Sequence, residues 1–204
     1  LTRNQISSAY IPTALLDSVA ECLKETNQRV SLEHLLVGVE PIKQGTLQKY
    51  KDLSEKIKIV NGYGPSESTI CATFFLFPEK SDEPQSRTPI GKPVSNYQIY
   101  ILDPSLNPVP IGVNGEICIG GHGLAMGYLN SPCLTAEKFT PNPFSDKPGE
   151  RIYKTGDMAR YLPDGNIEFI GRIDNQMKIR GYRIEAGEIE TVLAEHKGVK
   201  QNVI

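Results

Sequence analysis

The run His34-Leu35-Leu36-Val37-Gly38-Val39 restricts the fold of this chain more than any other stretch. An uninterrupted apolar segment this short, with polar residues on both sides, is expected of a strand covered on both faces, as in a parallel sheet under helices. The flanking sequence agrees. Ser8-Ala9-Tyr10-Ile11, closed by Pro12, reads as a strand end, and residues 14–24 read as a helix burying Leu15, Val19, Cys22 and Leu23. Residues 46–53 follow as a short helix and Lys58-Ile59-Val60-Asn61 as another strand. A β-α-β-α-β order implies a mostly parallel sheet, whose ligand crevices lie at the carboxyl ends of its strands.

The pattern changes near Pro78. Residues 79–93, rich in Pro, Ser and charge, read as a connecting loop. Short strand-like segments follow at 97–102, 116–119, 152–154, 158–162 and 167–170, punctuated by Asp103-Pro104, Asn114-Gly115 and Pro163-Asp164-Gly165. This predicts a small antiparallel sheet or barrel, with a short helix at 135–139. A polar joint, Gly171-Arg172-Ile173-Asp174-Asn175, leads to two short strands around Gly181. A helix is expected over 185–196, with Glu185 and Glu188 in its first turn and Ile189, Val192, Leu193 and His196 on one face. The fold class is therefore α/β, divided as 1–78, 79–173 and 174–204, the last too short to own a core. The chain opens without methionine and stops inside a strand-like run at 199–204, so it is expected to belong to something longer.

Composition excludes several functions. The 22 basic and 24 acidic residues leave a formal charge of -2, which argues against a nucleic-acid or membrane-surface binder. No apolar run approaches a membrane span, and the amino terminus has no signal-peptide pattern. Cys22, Cys71, Cys118 and Cys133 form no C-x-x-C pair and sit in or beside apolar segments. They read as reduced thiols of a cytoplasmic protein, and the three scattered histidines have no metal-ligand spacing.

Two stretches carry chemistry. Tyr153-Lys154-Thr155-Gly156-Asp157-Met158-Ala159-Arg160 offers a carboxylate on a glycine-bearing turn, an acceptor suited to the two hydroxyls of a vicinal diol. An aspartate in a plain hairpin turn accounts for the octapeptide as well. Asn61-Gly62-Tyr63-Gly64-Pro65-Ser66-Glu67-Ser68-Thr69 leaves a predicted buried strand directly. Asn61 is able to read an adenine edge, Tyr63 offers a flat face, Ser66 a hydroxyl for a phosphoryl oxygen, and Glu67 a hard oxygen for Mg²⁺. A strand-to-helix turn capped by Ser66 and Glu67 remains open as the alternative. Gly115-Glu116-Ile117-Cys118-Ile119-Gly120-Gly121 reads as a strand without chemistry. The glycines from Gly121 to Gly127 miss the dinucleotide spacing by one residue and lack its strand-turn-helix context.

Residues 61–69, 115–121, 153–160 and 171–190, in this order, closely resemble four core motifs of the adenylation domains of nonribosomal peptide synthetases. These domains belong to the adenylate-forming superfamily that includes acyl-CoA synthetases and luciferase. The last of the four runs Gly171-Arg172-Ile173-Asp174-Asn175-Gln176-Met177-Lys178-Ile179-Arg180-Gly181-Tyr182-Arg183-Ile184-Glu185-Ala186-Gly187-Glu188-Ile189-Glu190 and is highly specific. The resemblance covers most of the chain. It implies the rear part of the large domain, with a parallel α/β layer and a small antiparallel β-barrel, followed by the start of a small α+β C-terminal domain.

The same resemblance implies roles. Asp157 would hold the ribose hydroxyls with Arg172 nearby; Asn61 would bond the adenine amino group, and Tyr63 and Phe169 would lie against the ring. Ser66 and Glu67 would form the catalytic loop, touching the α-phosphate and holding Mg²⁺, and Asp174 would be the hinge of the small domain. Leu36, Gly38, Gly62, Ile70 and Cys71 would line the amino-acid pocket. All are small or apolar, so a hydrophobic side chain is expected, because a charged one would be buried unpaired. The chain departs from the family at Val39, where a second glycine is usual, placing a branched side chain able to crowd the adenine or narrow the pocket.

The implied reaction is condensation of an amino acid with Mg·ATP to aminoacyl-AMP and pyrophosphate, then transfer to the phosphopantetheine thiol of a carrier domain. Peptidyl carrier and condensation domains are the implied partners. The phosphate loop and amino-binding Asp are expected before Leu1 and the catalytic Lys after Ile204, so these residues alone are expected to be inactive. An acyl- or aryl-CoA synthetase and a non-catalytic nucleotide-binding or carrier-docking module are the rivals.

Overall fold

The computed structural model describes residues 1, 4–26, 30–174, 176–179, 182–184, 186–196, 198–199 and 201. Its first sheet begins with β1 (Ser8–Tyr10), followed by α1 (Leu16–Thr26), β2 (His34–Gly38), α2 (Gln44–Leu53) and β3 (Lys58–Tyr63). These three strands are parallel and lie in sequence order. Two further strands, β4 (Thr73–Leu76) and β5 (Lys92–Pro93), continue the sheet antiparallel, so it reaches past the compositional change at Pro78.

Both helices pack on one face of this sheet. Leu16, Ala20 and Leu23 of α1 and Leu47 and Tyr50 of α2 meet Leu35, Val37 and Ile59, and the Tyr50 hydroxyl donates to the Leu16 carbonyl at 2.7 Å. Strands laid down in one direction with right-handed crossovers put every crossover helix on the same side. This explains a difference from the sequence expectation. The run 34–39 is buried on one face only: Leu35 and Val37 are covered, whereas Leu36 is 37% exposed. The buried stripe of α1 is also displaced by one residue. Residues 13–15 form a 3-10 turn, the α-helix starts at Leu16, and Leu15 and Cys22 face outward.

The second sheet holds β6 (Tyr97–Leu102), β7 (Gly115–Gly121), β8 (Phe139–Pro141), β9 (Arg151–Tyr161) and β10 (Ile167–Arg172), with α3 (Pro132–Lys138) before β8. Its path is β10-β9-β7-β6, all antiparallel, with β8 on β9. Ile99, Ile101, Ile117, Ile119, Ala159 and Ile167 form its core together with Ala72 and Ile90 from beside the first sheet. Paired backbone bonds, Ile90 N to Ile167 O and Ile167 N to Gly91 O, stitch the two sheets edge to edge.

Residues 151–161 were expected as two strands around a turn at Gly156, yet they form one strand. The pairing of β9 with β7 shifts between Glu116 and Cys118, so the extra residues bulge. Gly156 sits there at φ 74°, its N–H bonded to Glu116 Oε1 at 2.9 Å, and Thr155 Oγ1 closes onto the Ile117 carbonyl at 2.8 Å. The turn chemistry was read correctly in kind, but the sheet absorbs it without reversing the chain.

Beyond the joint, β11 (Met177–Ile179) pairs with β12 (Tyr182–Ile184), and α4 (Ala186–Ala194) follows with Ile189, Val192 and Leu193 exposed. Asn175, Arg180, Gly181, Glu185 and most of the run 199–204 lie outside the described residues.

Val39 is a strained point. It is a β-branched residue at φ 77°, directly after β2, a conformation that glycine alone adopts at no steric cost. Val39→Gly is expected to raise stability by about 1 kcal/mol, relief of backbone strain outweighing the extra entropy of the unfolded chain. A thermal melt checks it; a lower midpoint would show that Val39 is held by its contacts and not strained.

Candidate functional site

The carboxyl ends of β2 and β3 and one edge of the second sheet enclose a cavity of about 340 Å³. Asn61, Gly62 and Tyr63 reach it from β3, Asp157 from the bulge of β9, and Phe169, Gly171 and Arg172 from β10. Val39, Glu40, Pro41, Arg87, Thr88, Ile90 and Gln176 complete the wall. All five residues assigned to a nucleotide on sequence grounds, Asn61, Tyr63, Asp157, Phe169 and Arg172, therefore line one cavity.

Asp157 is its polar centre and only 4% exposed. Its Oδ2 accepts from the Tyr63 hydroxyl at 2.5 Å and its Oδ1 from Arg172 Nη1 at 2.7 Å. Its own N–H donates to Thr155 Oγ1 at 2.9 Å, fixing the bulge. Burial, and then the facing Asp157 carboxylate, push the Tyr63 phenol well above 10, so it stays a donor. An ionised carboxylate accepts hydrogen bonds and donates none.

Arg172 serves two carboxylates. Its Nε and Nη2 hold both oxygens of Asp174 at 2.6 Å while Nη1 holds Asp157. Burial opposes its charge, yet Asp174 and Asp157 together raise its pKa further. A methyl group on Gly156 would come within 2.7 Å of Arg172 Nη2, so glycine is required there both for φ and for this approach. The joint residue Asp174 is thereby tied to the cavity.

Asn61 is oriented by its neighbours. Its Nδ2 donates to the Pro89 carbonyl at 2.8 Å, which leaves the acceptor oxygen for a donor on a ligand. Tyr63 and Phe169 stand with ring centroids 6.4 Å apart.

Ser66 and Glu67 are not part of this cavity wall. They lie in a 3-10 turn, Ser66–Ser68, that ends at a left-handed Thr69. Ser66 is exposed, and Glu67, 8% exposed, accepts from the Tyr128 hydroxyl at 2.7 Å. Tyr128 in turn stands 3.3 Å from the Tyr153 hydroxyl. Among the described residues no group of three His, Cys, Asp or Glu side chains could hold a metal. A single buried carboxylate fits Mg²⁺, which takes one or two protein carboxylates and completes its shell with phosphates and water.

Leu36, Gly38, Gly62 and Cys71 gather on the face of the first sheet opposite the helices. A methyl group on Gly62 would meet Cys71 Sγ at 3.0 Å and the Phe74 ring at 3.2 Å, and one on Gly38 would strike the Gly62 carbonyl at 2.1 Å. Ile70 stands beside them but is 73% exposed. The structure adds Tyr10, directly opposite Leu36 in register, and Phe74, opposite Gly62. Neither was singled out from sequence, because strand register, which brings them there, has no local signal.

A family model described as AMP-binding enzyme matches residues 1–129. The chain belongs to this family. It is 48% identical over 206 residues to tyrocidine synthase 3 of Brevibacillus parabrevis, covering 100% of this chain and 3% of that protein. It is 47% identical over 204 residues to gramicidin S synthase 2 of Brevibacillus brevis, covering 100% of this chain and 4% of that protein. The chain thus spans only a small part of these relatives. Among solved structures, PA1221, an NRPS protein containing adenylation and PCP domains, matches with a TM-score of 0.84 at 27% identity, over 98% of this chain and 40% of that one. These findings agree with the resemblance drawn from the four motifs, and with the adenylate-forming fold expected from it. No helix among the described residues is long and apolar enough to cross a membrane.

Within the AMP-binding chain the Arg172–Asp174 pair has a defined pH signature. The Arg172 guanidinium holds the Asp174 carboxyl below its ordinary value of 3.8. A depressed carboxyl pKa contributes stability that is complete above the ordinary value and is lost as pH falls through the depressed one. Asp174→Asn is therefore expected to lower the melting temperature at pH 7 and to make no difference once the aspartate is protonated in strong acid. Equal melting of the two proteins at pH 7 would show that the pair is energetically idle.

Proposed function

We propose that this chain supplies the nucleotide cavity and part of the substrate pocket of an amino-acid-activating adenylation domain. The parent enzyme condenses an amino acid with ATP, giving aminoacyl-AMP and pyrophosphate. It then passes the acyl group to the phosphopantetheine thiol of a carrier domain in nonribosomal peptide synthesis. The observation that supports this most is the convergence of Asn61, Tyr63, Asp157, Phe169 and Arg172, drawn from two sheets, on one cavity.

In this reading Asp157 accepts the ribose hydroxyls while Tyr63 and Arg172 keep it ionised and oriented. Asn61 accepts from the adenine amino group through the oxygen that its bond to Pro89 leaves available. Phe169 and the Tyr63 ring close the apolar sides of the base. Glu67, steadied by Tyr128, holds Mg²⁺, and Ser66 reaches the α-phosphate. The cation supplies charge neutralisation on the phosphates. These residues act mainly by alignment of the carboxylate with the α-phosphate, and none forms a covalent bond to substrate.

The amino-acid side chain lies along Leu36, Gly38, Gly62, Ile70 and Cys71, joined by Tyr10 and Phe74. Burial raises the Cys71 thiol pKa, so it presents an uncharged surface, and an apolar amino acid is the matching substrate. Asp174 is the hinge about which the small domain, 174–204, turns against the large core made of 1–78 and 79–173. Condensation and peptidyl carrier domains are its partners, and four free thiols suit the cytoplasm. The chain by itself is not expected to turn over.

Substrate-dependent ATP–pyrophosphate exchange tests this on the protein with its flanking sequence present, over amino acids, aryl acids and fatty acids. Exchange with one apolar amino acid, reduced at least about a hundredfold in Asp157→Ala through loss of charged hydrogen bonds, is the expected result. Exchange driven only by a non-amino acid, or by Lys, Asp or Glu, would overturn the substrate assignment.

A further inference from the structure

Thr69 and Ile70 are consecutive non-glycine residues in left-handed backbone, at φ 56° and 72°, directly after the turn that carries Ser66 and Glu67. Such a conformation costs on the order of 1 kcal/mol or more per residue and persists only where the surroundings over-determine it. Here the surroundings are the segment 122–128, which leads from β7 toward α3 and is bonded to the turn along its length. The Ala125 N–H donates to the Glu67 carbonyl at 2.9 Å, Thr69 Oγ1 to the Gly123 carbonyl at 2.8 Å, and the Tyr128 hydroxyl to Glu67 Oε1 at 2.7 Å. From β6 the Tyr97 hydroxyl adds a bond to the Ser68 carbonyl at 2.7 Å. Backbone and carboxylate of Glu67 are thus held from one segment.

The glycines of this segment, which miss the dinucleotide spacing, have a purpose in it. A methyl group on Gly123 would lie 1.6 Å from the Tyr97 hydroxyl oxygen, and one on Gly127, at φ 152°, would lie 2.4 Å from Thr135 Cγ2. Thr135 Oγ1 accepts from the Tyr128 N–H at 2.9 Å and fixes the base of that side chain. The segment is itself clamped by Arg151, at the start of β9. Its Nη1 and Nη2 donate to the carbonyls of Met126 and Ala125, both at 2.8 Å. Ala125 is therefore held at both ends, by Arg151 at its carbonyl and by Glu67 at its N–H. The guanidinium lies 5.2 Å from the Phe139 ring centroid, and that ring meets Tyr128 edge-on at 5.7 Å. A planar fork over an aromatic face is a geometry that lysine does not reproduce.

We propose that Arg151 is a positioning residue for the carboxylate of Glu67, acting through the segment 122–128 and the Tyr128 hydroxyl. This rests on the reading of Glu67 as the magnesium ligand. A cation that takes few protein ligands and demands near-ideal octahedral geometry is sensitive to where its carboxylate stands. Arg151 and Tyr128 lie outside the four motifs that carry the family resemblance, and neither lines the nucleotide cavity.

The test uses the protein with its flanking sequence and measures binding of metal-free ATP and of Mg·ATP to wild type, Arg151→Met, Arg151→Lys, Tyr128→Phe and Glu67→Gln. The quantity read is the gain in affinity that magnesium brings, which by linkage equals the tighter hold of protein-bound ATP on the cation. Arg151→Met is expected to cut this gain about fivefold and Tyr128→Phe, which keeps its ring against Phe139, about tenfold, the loss of one hydrogen bond to a charged group. Arg151→Lys, a cation without the fork, should fall between Arg151→Met and wild type. Metal-free ATP should bind these variants as it binds wild type. Arg151→Met combined with Glu67→Gln should lose no more of the gain than Glu67→Gln alone. An undiminished gain in Arg151→Met or in Tyr128→Phe, with Glu67→Gln impaired, would overturn this proposal alone. So would equal weakening of metal-free ATP and Mg·ATP, the mark of a merely structural effect. An undiminished gain in Glu67→Gln would overturn the magnesium reading of Glu67 and this assignment with it.

Discussion

The guanidinium of Arg172 is the interaction on which the site depends. It stands between Asp157 and Asp174 and binds both, so the bulge of β9, the end of β10 and the joint that follows are held by one cation. Tyr63 completes the arrangement from the first sheet. Removing Arg172 would leave the Asp157 carboxylate, 4% exposed, without its cation, which costs more than the pair itself contributes. In the proposed reading this has a mechanical sense. The residue expected to accept the ribose and the residue expected to serve as hinge share a partner, so occupancy of the cavity and the position of the small domain are not independent.

The first sheet divides the work between its two faces. One face is packed by α1 and α2 and supplies rigidity. The other presents the row Tyr10, Leu36, Val60 and Leu76, one residue per strand in register, with Gly38, Gly62 and Phe74 beyond it. Gly62 belongs both to that face and to the cavity wall. In the proposed reading amino acid and nucleotide thus meet across a glycine, where a side chain would intrude on Cys71 and Phe74.

Much of this was legible in the sequence because local patterns specify it. The β-α-β-α-β order followed from apolar runs and turn residues, and Asn61, Tyr63, Asp157, Phe169 and Arg172 came from motifs that resemble a family. What was not legible depends on distant pairing. The α1 stripe moved by one residue because a 3-10 turn preceded the helix. The one-sided burial of β2 follows from crossover handedness, which residues 34–39 do not encode by themselves. The bulge at Gly156 needed its partner Glu116, 40 residues away. Tyr10, Phe74, Tyr128 and Thr88 have no motif at all; they acquire a place only through register and loop closure.

The central claim is that Asp157 takes the ribose. The direct measurement is calorimetric binding of ATP and of 2′,3′-dideoxy-ATP to wild type and to Asp157→Asn, with flanking sequence present. If Asp157 accepts the two hydroxyls, wild type prefers ATP by about tenfold or more, and Asp157→Asn, whose amide is a poorer acceptor, loses most of that preference. Equal binding of the two nucleotides by wild type would contradict the account, leaving Asp157 as a structural anchor for Tyr63 and Arg172.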